Sequence, residues 1–195
     1  MKKSVFQVLI VGMMWVLSSS IGSAATITMG DYNVSLGNTV NQEIMISGLG
    51  DNAAPSVGAF DIDISYDAAF LQFNNAIFGN ELDVFGLGSF QDVFSTSGLV
   101  DLLEVSFDDV VDLEAHQTSS FTLATLIFEP LQTGFSTLGV SGIISDAVGN
   151  TLSVNFLSGS VAATSTVPEA PTVFLMALGL LGFFLAHQQK RRKFN

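Results

Sequence analysis

The chain has 195 residues, no cysteine and a formal charge of −12, from 18 acids set against six Lys and Arg. That length leaves room for one domain of ordinary size, and the lack of Cys excludes a disulfide scaffold, a thiol nucleophile, a thiolate metal site and a lipidated N-terminal Cys. All six cations sit at the two ends, so the acidic middle repels phosphate, and nucleic acid and anionic lipid headgroups are poor partners.

The chain opens on a secretory signal. Lys2 and Lys3 supply a positive start, Val5 to Leu17 an apolar run too short to span a bilayer easily, and Gly22-Ser23-Ala24-Ala25 a small-residue cleavage region. Cleavage is expected after Ala24 or Ala25, which makes residues 1–25 the signal peptide and 26–163 the folded domain.

Strand signals dominate the middle, and no helical period is convincing. Thr26 to Leu36 and Val40 to Ile46 are β-branched runs separated by Gly37-Asn38. From Phe60 the pattern alternates strictly: Phe60, Ile62, Ile64 and Tyr66 on one side, Asp61, Asp63, Ser65 and Asp67 on the other. That period of two predicts a strand with one apolar and one acidic face. Leu71 to Phe78 follows, then Gly-rich turns around Gly79, Gly86 and Gly88, then Leu99 to Phe107. Phe121 to Phe128 is apolar enough for a strand buried on both faces. Phe135 to Val140, Ile143-Ile144 and Leu152 to Val161 complete eight or nine strands, and Gly159 to Thr166 reads as a small, polar linker. Such a series predicts an all-β sandwich, and the 17 Phe predict a phenylalanine-based core.

Catalytic signals are sparse. His116 is the one His before the tail, which rules out a multi-histidine metal site, and it reads as a loop residue. No Gly-x-Ser-x-Gly elbow and no phosphate-binding glycine loop is present. The expectation is a protein with no catalytic residues and no required cofactor. Ca2+ is the one candidate, at the acid run Asp108-Asp109-Val110-Val111-Asp112-Leu113-Glu114, because this ion takes six to eight hard oxygens. That run lacks the spacing of an EF-hand loop. More generally, the acids of the middle must be solvated, bonded to backbone N–H groups, or neutralised by cations.

The C-terminal segment is of another kind. Val173 to Ala186 is apolar, short of the ~20 residues of an untilted span, and Lys190-Arg191-Arg192-Lys193 follows at once, on the side that stays cytoplasmic. Residues 164–171 then form a linker and Pro-Glu motif, and 172–195 a short C-terminal transmembrane helix with a basic tail. The layout of Val167-Pro168-Glu169-Ala170-Pro171, apolar helix and Arg-rich end resembles the PEP-CTERM sorting signal. Pro168 and Glu169 match its motif; Ala170 stands where a second proline is usual. This resemblance implies a Gram-negative-type bacterium and an exosortase, an inner-membrane protease or transpeptidase that recognises such tails. The expected path is an inner-membrane-anchored intermediate, then the cell surface or extracellular matrix, with an association with exopolysaccharide and biofilm.

The middle carries a second resemblance. Phe60 to Asp67, Leu123-Ala124-Thr125-Leu126-Ile127-Phe128 and Gly134 to Thr137 are similar to the strand motifs of cohesin domains. That family implies a jelly-roll β-sandwich of about nine strands, whose best-known members bind dockerin modules through one sheet face. Carried over, Asp61, Asp63 and Ser65 lie near that face. The expectation is a binding or adhesion module for an extracellular protein or exopolysaccharide. Its alternatives are an acidic matrix protein without a specific ligand and a jelly-roll glycan hydrolase.

Overall fold

The computed structural model describes residues 24–165, together with Met176 and Leu180. Of the expected signal peptide only Ala24 and Ala25 fall within these residues, and of the expected membrane helix only Met176 and Leu180; the sorting motif lies outside them. No helix among the described residues is long and apolar enough to cross a membrane.

Eleven strand segments and one short helix follow in order: β1 Ala25–Met29, β2 Asp31–Ser35, β3 Val40–Ser47, β4 Val57–Ser65, β5 Leu71–Phe78, β6 Ser89–Thr96, β7 Leu99–Ser106, α1 Val110–His116, β8 Ser120–Pro130, β9 Gly134–Asp146, β10 Val154–Leu157 and β11 Gly159–Thr164. They build two sheets, ordered β10-β1-β3-β8-β5 and β2-β11-β9-β4-β7-β6. The result is a β-sandwich, as the alternation predicts. Side chains that alternate inward from both sheets, including Ile27, Ile44, Ile46, Leu126 and Phe128 from one and Phe60, Ile62, Ile64, Leu102 and Leu138 from the other, make one core.

The first and last strands each change sheets partway. The expected run Thr26 to Leu36 is split at Gly30 into β1 and β2, which belong to different sheets. The C-terminal run likewise passes from β10 to β11. Each half of one run pairs in parallel with a half of the other: Ala25 opposite Val154 in one sheet, Asp31 opposite Ser160 in the other. Where the two backbones cross, a Cβ on Gly159 would overlap the Gly30 carbonyl oxygen, so only glycine fits at position 159. Counted as continuous paths, the eleven segments are nine strands.

Several local expectations are corrected. Gly159 to Thr164 is strand β11, not linker: Val161 and Ala163 are buried, and both neighbours, β2 and β9, bond to it. The Gly-rich stretch hides β6. The acid run leads into α1, which buries only Leu113 and so shows almost no apolar stripe. β8 buries one face fully, with Leu123, Leu126 and Phe128, while Thr122, Thr125 and Ile127 on the other are half-buried. The core is mainly Ile and Leu around Phe60 and Phe128, and five Phe (Phe85, Phe90, Phe94, Phe107 and Phe135) are more than half exposed.

Candidate functional site

The outer face of β9-β4-β7-β6 is the most distinctive surface. Strand period and register place its side chains in rows. Phe94 on β6 lies opposite Asp101 on β7, which lies opposite Asp63 on β4, itself opposite Ser141 on β9. The next row runs Asp92, Leu103, Asp61, Ile143, and the one beyond it begins Phe90, Val105, Ala59. Phe90, Phe94, Val105 and Ile143 are exposed. Four aspartates therefore sit amid an apolar, partly aromatic surface.

A shallow depression at the centre is lined by Asp61, Asp92, Phe94, Asp101 and Leu103. Asp101 feels it most. Burial pushes its carboxyl above the ordinary range, and the charges of Asp61 and Asp63 push it further, with Asp92 adding to the effect. One of its carboxylate oxygens is buried without a hydrogen-bond partner. With no Lys or Arg in the domain, no salt bridge offsets this repulsion. Of the three residues expected here, Asp61 and Asp63 both act on Asp101. Ser65 lies on the same face at the end of β4 and lines a separate groove with Tyr66, Asp67, Phe135, Ser136 and Thr137.

Phe90, Asp92, Phe94 and Asp101 were not among the expected site residues. Their signal is the same period of two: in SFQDVFST and LVDLLEVS, Phe90, Asp92 and Phe94, then Asp101 and Leu103, fall on one side. Gly86 and Gly88 just before it make β6 read as a turn region.

Beneath this face, Glu104 points inward at 1% exposure. Its Oε1 accepts hydrogen bonds from the Ser89 hydroxyl (2.6 Å) and the Gln91 amide (2.8 Å), while Oε2 is buried without a partner. Burial raises its carboxyl above the ordinary range; the two hydrogen bonds offset part of that.

The acid run serves the fold. The buried Asp108 accepts hydrogen bonds from the backbone N–H of Phe85 (2.9 Å) and Leu87 (3.3 Å), clamping the loop before β6. His116 is the last residue of α1 rather than a loop residue, and its Nδ1 lies 2.8 Å from the Asp112 carbonyl oxygen. Among the described residues, no group of three or more His, Asp or Glu is arranged to hold a metal ion. Of the expected processing positions, Ala25 opens β1, is buried, and donates its N–H to the Ser153 carbonyl.

Known structures share this fold. A cohesin from Clostridium acetobutylicum superposes with a TM-score of 0.60 at 22% identity, over 75% of this chain and 95% of its own. A non-cellulosomal cohesin from the hyperthermophilic archaeon Archaeoglobus fulgidus gives 0.57 at 18%, over 74% and 94%. The OlpA cohesin complex with a dockerin from Clostridium thermocellum gives 0.60 at 15%, over 73% and 100%. The fold is cohesin-like. Behind the cohesin-like domain, residues 166–192 match the PEP-CTERM protein-sorting motif. That match contains Pro168, Glu169 and Ala170 and implies export, a membrane-anchored intermediate and processing by an exosortase. No curated protein sequence matches the chain.

Proposed function

We propose that this chain is an exported, exosortase-sorted surface module that binds another extracellular protein through the outer face of β9-β4-β7-β6. The observation that carries the reading is the composition of that face. Exposed Phe90, Phe94, Val105 and Ile143 surround four aspartates that no cation of this domain neutralises. Exposed aromatic side chains are common anchors of a binding surface, and the aspartates set its charge preference. The complementary partner carries Lys or Arg side chains for Asp61, Asp63, Asp92 and Asp101, and apolar side chains for the rings. The cohesin–dockerin complexes among the related structures support a protein ligand.

Signal cleavage after Ala24 suits this reading, because it leaves Ala25 in place as the first residue of β1. Exosortase would act at Pro168, Glu169 and Ala170.

A second reading, recognition of exopolysaccharide at a biofilm surface, draws on the same exposed rings. The face has many acceptors and few donors, which suits a neutral or cationic glycan and opposes an acidic one.

Affinity capture decides between them. Residues 24–165, and the Phe94→Ala and Asp61→Asn/Asp63→Asn variants, are offered the secreted proteins and the purified exopolysaccharide of the producing cells. Saturable capture of one protein, lost in the variants and weakened by salt, is expected. Capture of polysaccharide alone would move the function to the glycan. Capture of neither would leave the acidic matrix role as the better reading.

A further inference from the structure

The chain contains one Asn-x-Ser/Thr triplet, Asn33-Val34-Ser35, and Asp31 stands two residues before the Asn. Asn-x-Ser/Thr is the acceptor signal for N-linked glycosylation. These five residues are β2 in full. In a strand, residues two apart share a face, so the Asp31 carboxylate, Asn33 amide and Ser35 hydroxyl form one row. Asp31 and Asn33 are exposed, while Tyr32 and Val34 pack on the core from the other side.

β2 is also an edge strand. It ends its sheet and has one neighbour, β11. A chain exported from its N-terminus delivers β2 early and β11 ~125 residues later, a delay of several seconds at ordinary synthesis rates. Throughout that interval Asp31–Ser35 has no strand to pair with. After folding, Asn33 lies beside the small Ala162, and beyond that in the same row is Phe135, 60% exposed. A sugar on Asn33 meets no bulky neighbour, and the Phe135 ring lies about 10 Å away, two strand spacings.

We propose that Asn33 is an acceptor for N-linked glycosylation on the outer side of the exporting membrane, its donor an oligosaccharide carried on a polyprenyl diphosphate. Asn33 Nδ2 forms a bond to C1 of the first sugar. The bond from C1 to the diphosphate oxygen breaks, the polyprenyl diphosphate leaves, and one amide proton passes to a base of the transferase. The step consumes no oxidant or reductant. It does not depend on the partner-binding face, since Asn33 lies at the far edge of the sheet from β6.

The test expresses the full-length chain in Gram-negative cells that carry a bacterial oligosaccharyltransferase and its lipid-linked glycan, with an inactive transferase in parallel. The domain contains no Lys or Arg, so an acid-specific protease rather than trypsin is used to generate the peptide for mass spectrometry. The expected result is a mass gain of one glycan on the peptide containing Asn33. It is lost in Asn33→Gln and Ser35→Ala and kept in Ser35→Thr, with melting of all three variants unchanged. A mass that the active transferase does not alter overturns the proposal, as does a glycan that survives Asn33→Gln.

Discussion

Buried Glu104 and crowded Asp101 each add a pH response to the domain. Both carboxyls are raised above their ordinary range, so the folded state binds their protons more tightly than the unfolded chain does. The cost of ionising them is fully present at neutral pH. It is relieved as pH falls through the folded values toward the ordinary carboxylate range. The melting temperature is therefore expected to rise on mild acidification from pH 7, before general acid unfolding sets in. Glu104→Gln and Asp101→Asn should each raise it at neutral pH and flatten that rise; a scan of melting against pH in the three proteins checks this. Gln117 is the opposite kind of buried group. It accepts the Val57 N–H (2.6 Å) and donates to the carbonyls of Val57 (2.7 Å) and Glu81 (2.8 Å), pinning β4 to the segment after α1. Gln117→Ala leaves these buried groups without partners and should cost about 3 kcal/mol in urea unfolding.

At the scale of elements, β11 decides whether the sandwich closes. It lies between β2 and β9 and buries Val161 and Ala163. A chain ending after Leu157 should lose cooperative thermal unfolding, whereas one ending after Ser165 should keep it; circular dichroism melts distinguish the two. This strand also marks the limit of legibility. β4 is readable because Phe60, Ile62 and Ile64 alternate with acids, and β5 because its apolar and polar residues sit between clear turns. β11 is small and polar in composition, and its strand character comes from neighbours that are distant in sequence. β6 was obscured by nearby glycines, and the aromatic half of the candidate site went with it. The acidic half, Asp61 and Asp63, was legible because it shares β4's alternation. Sequence spacing alone could not bring Asp92 and Asp101 beside them, since that depends on register between strands.

For the molecule as a whole, charge is the governing fact. All of the 18 acids but Glu169 fall within the described domain, which has no Lys or Arg. Its self-repulsion is screened by salt over a Debye length of about 10 Å at 0.1 M. The melting temperature should rise with NaCl from about 0.02 to 0.2 M and then level off; calorimetry at fixed pH measures it. The same field keeps the domain off DNA, so none should be retained on a DNA column at about 0.15 M salt.

The crossed terminal strands give the domain a direction. β1 enters at one pole beside β10, and β11 leaves at the opposite pole beside the end of β2, where Ser35 pairs with Thr164. The sorting segment follows directly in sequence, so tension on an anchored tail enters the domain through the C-terminal end of β11. Its hydrogen bonds to β2 and β9 then bear that tension in shear, as a set, instead of being peeled one after another. If the domain is held by its tail as proposed, its mechanical lifetime under load is set by an unfolding rate rather than by equilibrium stability.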